Sequence, residues 1–266
     1  MSKIQTAEEY WHSLLTGRQS PARMERAFFR MFPHDPRCKL CNVPFAGAGG
    51  TVMRTLGRRP SKRNPRYCNT CERYIERYRG GTEVEMTLLF ADVRGSTTAG
   101  ERMSPLQFSR LMNRFYGTAT RVLVNADAWI DKLVGDEVIG FFFPYIGPHA
   151  RVAVQAAREL LRATGHGQAD GPWLPVGAGV HTGVAYVGVV GSQDTVSDVT
   201  ALGDAVNVTA RLASLAQAGE ILVSDAAYAA AGLTEEDHEH RQADLKGRTE
   251  PVGVHVLGVG APAGQP

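Results

Sequence analysis

The stretch TLLFADVRGST (Thr87 to Thr97) opens on a continuous apolar run and ends on a short turn of small residues. A run of this length bounded by turn signals predicts a buried strand, which delivers Asp92 to its carboxyl end. In the turn, Gly95, Ser96 and Thr97 are placed to aim several backbone N–H groups at an anion. A second carboxylate stands in KLVGDEVIGFF (Lys132 to Phe142), where Gly135-Asp136 marks a tight turn between strands predicted over Trp129 to Leu133 and Val138 to Phe143. Two carboxylates at neighbouring strand ends suit a pair of Mg²⁺ ions, as phosphoryl and nucleotidyl transfer require. Taken singly, each Asp reads equally well as a turn residue. Glu137, next along the strand, is expected to point to the face opposite Asp136.

Working outward, Ser104-Pro105 forms an N-cap and first-turn pair that opens a helix to about Ala126, with Phe108, Leu111, Met112, Phe115, Ala119 and Val122 inward. Further helices are predicted over Ala150 to Ala163 and Ala205 to Ala216. A second hairpin is expected from Val176 to Val190, turning at Thr182-Gly183, and the last strand over Gly253 to Val259. This β-α-β-β-α-β order resembles a ferredoxin-like core with appended elements, an α+β fold. His181, just before Thr182-Gly183, is assigned a structural role.

Upstream lie a helical segment, residues 1–33, and a segment over 34–80. The main domain spans 83–259, and a tail covers 260–266. A helix from Ala22 to Phe32 carries Met24, Ala27, Phe28, Met31 and Phe32 at near-helical spacing, and this face is expected to pack on the domain that follows. Segment 34–80 holds all four cysteines as Cys38-x-x-Cys41 and Cys68-x-x-Cys71, the second pair leading into a predicted helix. Paired C-x₂-C motifs in a cytosolic chain argue for a metal before a disulfide. Four thiolates suit a tetrahedral Zn²⁺ site, and an iron–sulfur cluster uses the same ligands. The arrangement resembles a treble-clef zinc finger with a long gap.

Residues 1–80 hold 16 Lys/Arg against 6 Asp/Glu, although the whole chain is only +2. Such a basic head has three candidate counterparts: nucleic acid, an anionic lipid surface or the acidic remainder of the chain. Its aromatics, Phe45, Tyr67, Tyr74 and Tyr78, form no evident stacking platform for bases. No apolar stretch is long enough to span a bilayer, and MSKIQTAEEYWHSLL is unlike a secretory signal. A cytoplasmic location is the expectation.

FADVRGST, KLVGDEVIGFF, GVHTGVAYVGVVGS (Gly179 to Ser192), TALGDAVNVTARL (Thr200 to Leu212) and LKGRTEPV (Leu245 to Val252) follow one another in the order and spacing of class III adenylyl and guanylyl cyclases. The resemblance covers residues 84–258. It implies that Asp92 and Asp136 bind two Mg²⁺ or Mn²⁺ ions and that Lys132 and Thr200 read the purine; Gly95, Ser96 and Thr97 are expected, from the turn they form, to bind the substrate's phosphates. It further implies that Asn207 and Arg211 orient the ribose and stabilise the transition state, and that Lys246 grips the terminal phosphates. It also implies a homodimer with ATP as substrate. A guanine reader of this family usually carries an acid and a Cys at the two purine positions. A Thr in place of the more common Asp at 200 leaves some GTP use open.

Overall fold

The computed structural model describes residues 6–32, 36–191, 197–234, 238–245 and 247–259. Their contacts divide the chain into two compact units, one of residues 1–85, 143–147 and 184–203, the other of 86–142, 148–183 and 204–266. Helices α1 (Ala7–Leu15), α2 (Ser20–Arg30), α3 (Gly47–Thr55) and α4 (Asn69–Arg77) precede strand β1 (Gly81–Val93). Then come α5 (Ser96–Arg102), α6 (Pro105–Asn125), β2 (Trp129–Val134), β3 (Glu137–Phe142), α7 (His149–Ala163) and β4 (Val176–Val190). The chain continues through β5 (Asp198–Leu202), α8 (Asp204–Leu215), β6 (Ile221–Ser224), α9 (Asp225–Ala231), β7 (Glu239–Ala243) and β8 (Val252–Leu257).

The sheet runs β2-β3-β1-β4-β6-β8-β7, with β5 paired to β4. β1 is therefore central, which explains its apolar run: Leu88, Leu89, Phe90 and Ala91 are each at most 3% exposed. The βαββαβ order is formed by β1, α6, β2, β3, α7 and β4, with α5 as a short insertion. α6 begins where Ser104 and Gln107 make a reciprocal capping box. It buries Met112, Phe115, Ala119 and Val122. Phe115 is fully enclosed, a position where truncation to Ala costs about 3–5 kcal/mol.

Two expectations fail. Thr182-Gly183 is not a turn but the middle of one 15-residue strand. Thr182 is buried, and its hydroxyl bonds the Thr87 hydroxyl at 2.7 Å, which meets His149 Nδ1 at 2.8 Å. β4 continues as strand through this position because its first half pairs in parallel with β6 and its second half antiparallel with β5. Ladder pairing on both stretches outweighs a local turn preference.

The second failure concerns α2, whose apolar face is not covered. Met24, Phe28 and Met31 are 72%, 48% and 73% exposed, while Arg26 and Phe29 point inward. The Arg26 guanidinium donates to the carbonyls of Lys39 and Leu40, the latter at 2.7 Å. Buried turn carbonyls need partners, so supplying a cation to them fixes which side of the helix turns in. In α1, Trp11 is buried and donates its Nε1–H to the Tyr78 carbonyl at 2.8 Å. The module's aromatics stack on one another, with the Tyr10 and Tyr78 ring centres 4.0 Å apart.

Candidate functional site

The strand ends that were expected to meet do meet. Val93 N–H donates to the Asp136 carbonyl at 3.0 Å, extending the β1–β3 ladder by one bond and bringing Asp136 beside Asp92. Burial raises the Asp92 pKa; Arg94 at 3.3 Å opposes this, and the Asp136 charge adds to it. Arg94 is itself held by the carbonyls of Ala213 and Ser214 at the end of α8, at 2.7 and 3.2 Å. Gly95 adopts φ +72°, the left-handed conformation that starts α5. That turn points the Ser96 hydroxyl at the Asp136 carboxylate, to which it donates. Thr97 is exposed beside it.

Glu137 corrects the sequence reading. It pairs in register with Asp92 across β1 and β3, so the two side chains share a face. Burial raises its pKa, as do the charges of Asp92 and then Asp136, against Lys132. Asp136 belongs to the turn rather than to the pleat, so strand alternation between 136 and 137 does not apply. Asp92 and Glu137, facing each other across the two strands, and Asp136 in the adjoining turn offer oxygen donors of the kind that hard cations such as Mg²⁺ or Mn²⁺ take.

Lys132 is exposed, and a register shift between Ile130 and Lys132 sets its direction. The extra residue, Asp131, is buried. Ile130 pairs with Gly140 and Lys132 with Ile139, so this bulge places residues two apart on opposite faces. Asn207 and Arg211 are both exposed, one turn apart on α8, opposite the buried Ala205, Val208 and Leu212. α8 lies close on β4 because Gly179 has no side chain: a Cβ there would meet the Ala213 nitrogen at 2.4 Å. Thr200 is half-buried on β5, paired with Gly188. Lys246 lies outside the described residues. His181 bonds the Ser224 hydroxyl at 2.8 Å, and burial pushes its pKa down to about 4. It is thus a neutral packing residue at neutral pH.

The four cysteines are buried, and their sulfurs lie within 4.8 Å of one another. Cys38 and Cys41 flank a turn closed by the Asn42 N–H to the Cys38 carbonyl at 2.9 Å. Cys68 caps α4, and Cys71 lies in its first turn. α3 fills the long interval between the pairs. Cys68 Sγ accepts from the Cys71 N–H at 3.4 Å, and Arg58 lies 3.7 Å from it. Its pKa is lowered by its hydrogen bonds with Cys38, Cys41 and Cys71, in that order, and by the backbone N–H of Cys71. The Cys41–Cys68 sulfur separation is 3.7 Å. Four thiolates at about 2.3 Å from a tetrahedral ion stand roughly 3.8 Å apart, so the residues fit one metal ion.

The module also grips β5, which the sequence reading missed. Lys39, from the first C-x₂-C, donates to the Val199 carbonyl and pairs with Asp198 at 3.4 Å. Arg66 and Tyr67, just before the second, both bond the Asp198 carboxylate. The Tyr67 hydroxyl accepts from the Val199 N–H at 2.9 Å, and Asn64 donates to the Ser197 carbonyl at 3.1 Å. Further cations of the basic head engage its own acids, Arg58 on Glu25 and Arg63 on Glu76.

The family model for the adenylate and guanylate cyclase catalytic domain matches residues 81–258. The chain therefore belongs to the class III nucleotidyl cyclases. It is 33% identical over 136 residues to an adenylate cyclase of Anabaena cylindrica, covering 49% of this chain and 27% of that one. It is 29% identical over 185 residues to adenylate cyclase 1 of Rhizobium meliloti, covering 66% and 28%. The chain thus spans under a third of the length of these curated relatives. Among solved structures, the guanylyl cyclase Cya2 superposes with a TM-score of 0.59 at 30% identity, covering 69% of this chain and 97% of that one. The adenylyl cyclase CyaB from P. aeruginosa gives 0.55 at 28%, covering 66% and 95%.

Proposed function

We propose that the protein is an adenylate cyclase that converts ATP to 3′,5′-cyclic AMP and pyrophosphate at sites shared across a homodimer. The observation that carries this reading is the corner where Asp92 faces Glu137 with Asp136 in the adjoining turn, and where burial above all, with neighbouring negative charge after it, raises the Asp92 and Glu137 pKa values. Divalent ions bound there would supply charge neutralisation for the triphosphate and lower the pKa of the ribose 3′-hydroxyl. Asp92 and Asp136 would hold those ions, and the Ser96 hydroxyl fixes the Asp136 carboxylate. The 3′-oxygen attacks the α-phosphorus, its proton passes to solvent, and the bond to the bridging oxygen of pyrophosphate breaks. Asn207 positions the ribose. Arg211, with its fixed fork of donors, stabilises charge moving onto the leaving group, and Lys246 holds the terminal phosphates.

Both α8 residues point away from their own chain's core, which favours a second copy as their working partner. Val184, Val190 and Leu202 of the β4–β5 arm are 56%, 36% and 48% exposed, apolar surface suited to the same contact. Among the described residues no helix is long and apolar enough to cross a membrane.

Donor and acceptor chemistry favours adenine. Lys132 donates to a ring nitrogen, and the Thr200 hydroxyl accepts from the exocyclic amine. Turnover of ATP against GTP with Mg²⁺ or Mn²⁺, product identified by mass, is the test. ATP is expected to be preferred, and equal or greater turnover of GTP overturns the assignment. The double variant Lys132→Glu/Thr200→Cys is expected to lower the ATP/GTP ratio of kcat/KM at least tenfold, about 1.4 kcal/mol. An unchanged ratio in a folded, active variant removes both residues from base selection.

For the cysteine site we propose a structural Zn²⁺. A cluster interposes two or more irons and spreads its outer thiolates wider than the 4.8 Å within which all four sulfurs lie here. Purified protein is expected to be colourless with about one Zn²⁺ per chain. Brown, iron-containing protein prepared without oxygen overturns this.

A further inference from the structure

A third group of metal-ligating side chains lies far along the chain from both sites above, in the C-terminal β7–β8 hairpin and the start of α9. His240 and His255 are cross-strand partners, with ring centres 4.6 Å apart. Asp225, the first residue of α9, reaches over them. Its Oδ1 lies 2.9 Å from His240 Nε2 and 3.2 Å from His255 Nε2. A Cβ at position 253 would stand 2.0 Å from the Asp225 Oδ2, so only glycine in β8 lets the carboxylate settle there.

Two features separate this arrangement from an ordinary surface ion pair. A carboxylate offers two oxygens and about four lone-pair positions to its donors. Here both nitrogens converge on Oδ1, and all three atoms lie within 4.8 Å of one another. Ligands at about 2.0–2.1 Å from a tetrahedral ion stand roughly 3.3 Å apart, close to the two distances found.

The second feature is the support behind His255. Its ring stacks on Tyr228 at 3.7 Å and 12°, and its Nδ1 meets His238 Nε2 at 2.6 Å. Fixing the far nitrogen of a ligating histidine is the usual way its ring is oriented towards a metal. His238 Nδ1 is buried and finds no partner among the described residues.

We propose that Asp225, His240 and His255 form a third metal site, for a borderline divalent ion of the Zn²⁺ class. Two imidazoles and one carboxylate suit Zn²⁺, Ni²⁺ or Cu²⁺ better than Mg²⁺. Asp225 and His240 are exposed, so the remaining coordination positions face solvent. The site is open rather than closed and binds more weakly than four thiolates.

The test uses the full chain with its cysteine site already loaded, titrated with ZnCl₂ by calorimetry and with CoCl₂ by absorption. One additional Zn²⁺ per chain is expected, together with cobalt d–d bands that lack thiolate charge transfer. His240→Gln and Asp225→Asn, both at exposed positions, should each weaken that event at least tenfold. Asp92→Asn should leave it unchanged, which separates it from the catalytic carboxylates. Absence of a second binding event overturns the proposal. So does an event that survives His240→Gln and Asp225→Asn, or one that disappears with Asp92→Asn.

Discussion

Chains carrying Asp92→Ala and chains carrying Asn207→Ala are each expected to be nearly inactive, yet together to recover about a quarter of wild-type activity. The two lesions strike different halves of the reaction. Asp92 sits in the carboxylate corner, where burial and Asp136 raise its pKa. Asn207 is exposed on the outer face of α8. Removing one charge-stabilising contact of this kind costs about 10²–10³ in rate. In the proposed two-fold dimer, the corner of one protomer would work with the α8 residues of its partner. A mixed dimer then has one site with both lesions and one with neither. Random pairing makes about half the dimers mixed, so about a quarter of all sites are intact. The assay is cyclic AMP formation after co-expression, with exchange verified by differently tagged chains. Activity that stays at the single-variant floor despite exchange shows that each site is built within one chain.

Cys68→Ser is expected to loosen β5 at a distance from the sulfur. The residues that hold the strand flank the cysteines directly: Lys39 follows Cys38, and Tyr67 precedes Cys68. Lys39 is buried, with its side chain 3% exposed, and its charge is met by Asp198 and the Val199 carbonyl. Loss of a structural zinc removes about 10–16 kcal/mol of binding free energy from a module of this type, more than its small core replaces. Without an ordered module, the Val199 N–H loses the Tyr67 oxygen it bonds at 2.9 Å. Hydrogen exchange at Val199 should then quicken at least 100-fold, about 2.7 kcal/mol of local opening. β1, with Leu88 and Leu89 enclosed, should stay protected. If Val199 exchanges as in the wild type while the cysteine site is empty, the grip on β5 does not depend on the metal. Thr200 follows Val199 directly, so the same loosening should raise the KM for ATP more than it lowers kcat.

Much of this was legible in the chain as written. The apolar run ending at Asp92, the Gly135-Asp136 turn and the Ser104-Pro105 cap are local signals, each with one sterically favoured outcome. The C-x₂-C pairs are local too, since a turn and a helix start suffice to place two thiolates apiece. What the sequence left open were choices between neighbours distant along the chain. Thr182-Gly183 looks like a turn until β5 and β6 pair with the two halves of β4. Glu137 looks turned away until its register against Asp92 is known. α2 shows a plausible apolar face, yet the carbonyls of Lys39 and Leu40 draw in Arg26 on the other side. The grip on Asp198 and the convergence of Asp225, His240 and His255 join residues 131 and 15 or more positions apart. Periodicity and spacing report only the chain's own few turns. Which strand lies beside which, and which buried polar group is left needing a partner, is decided when the sheet closes and every donor and acceptor must be satisfied.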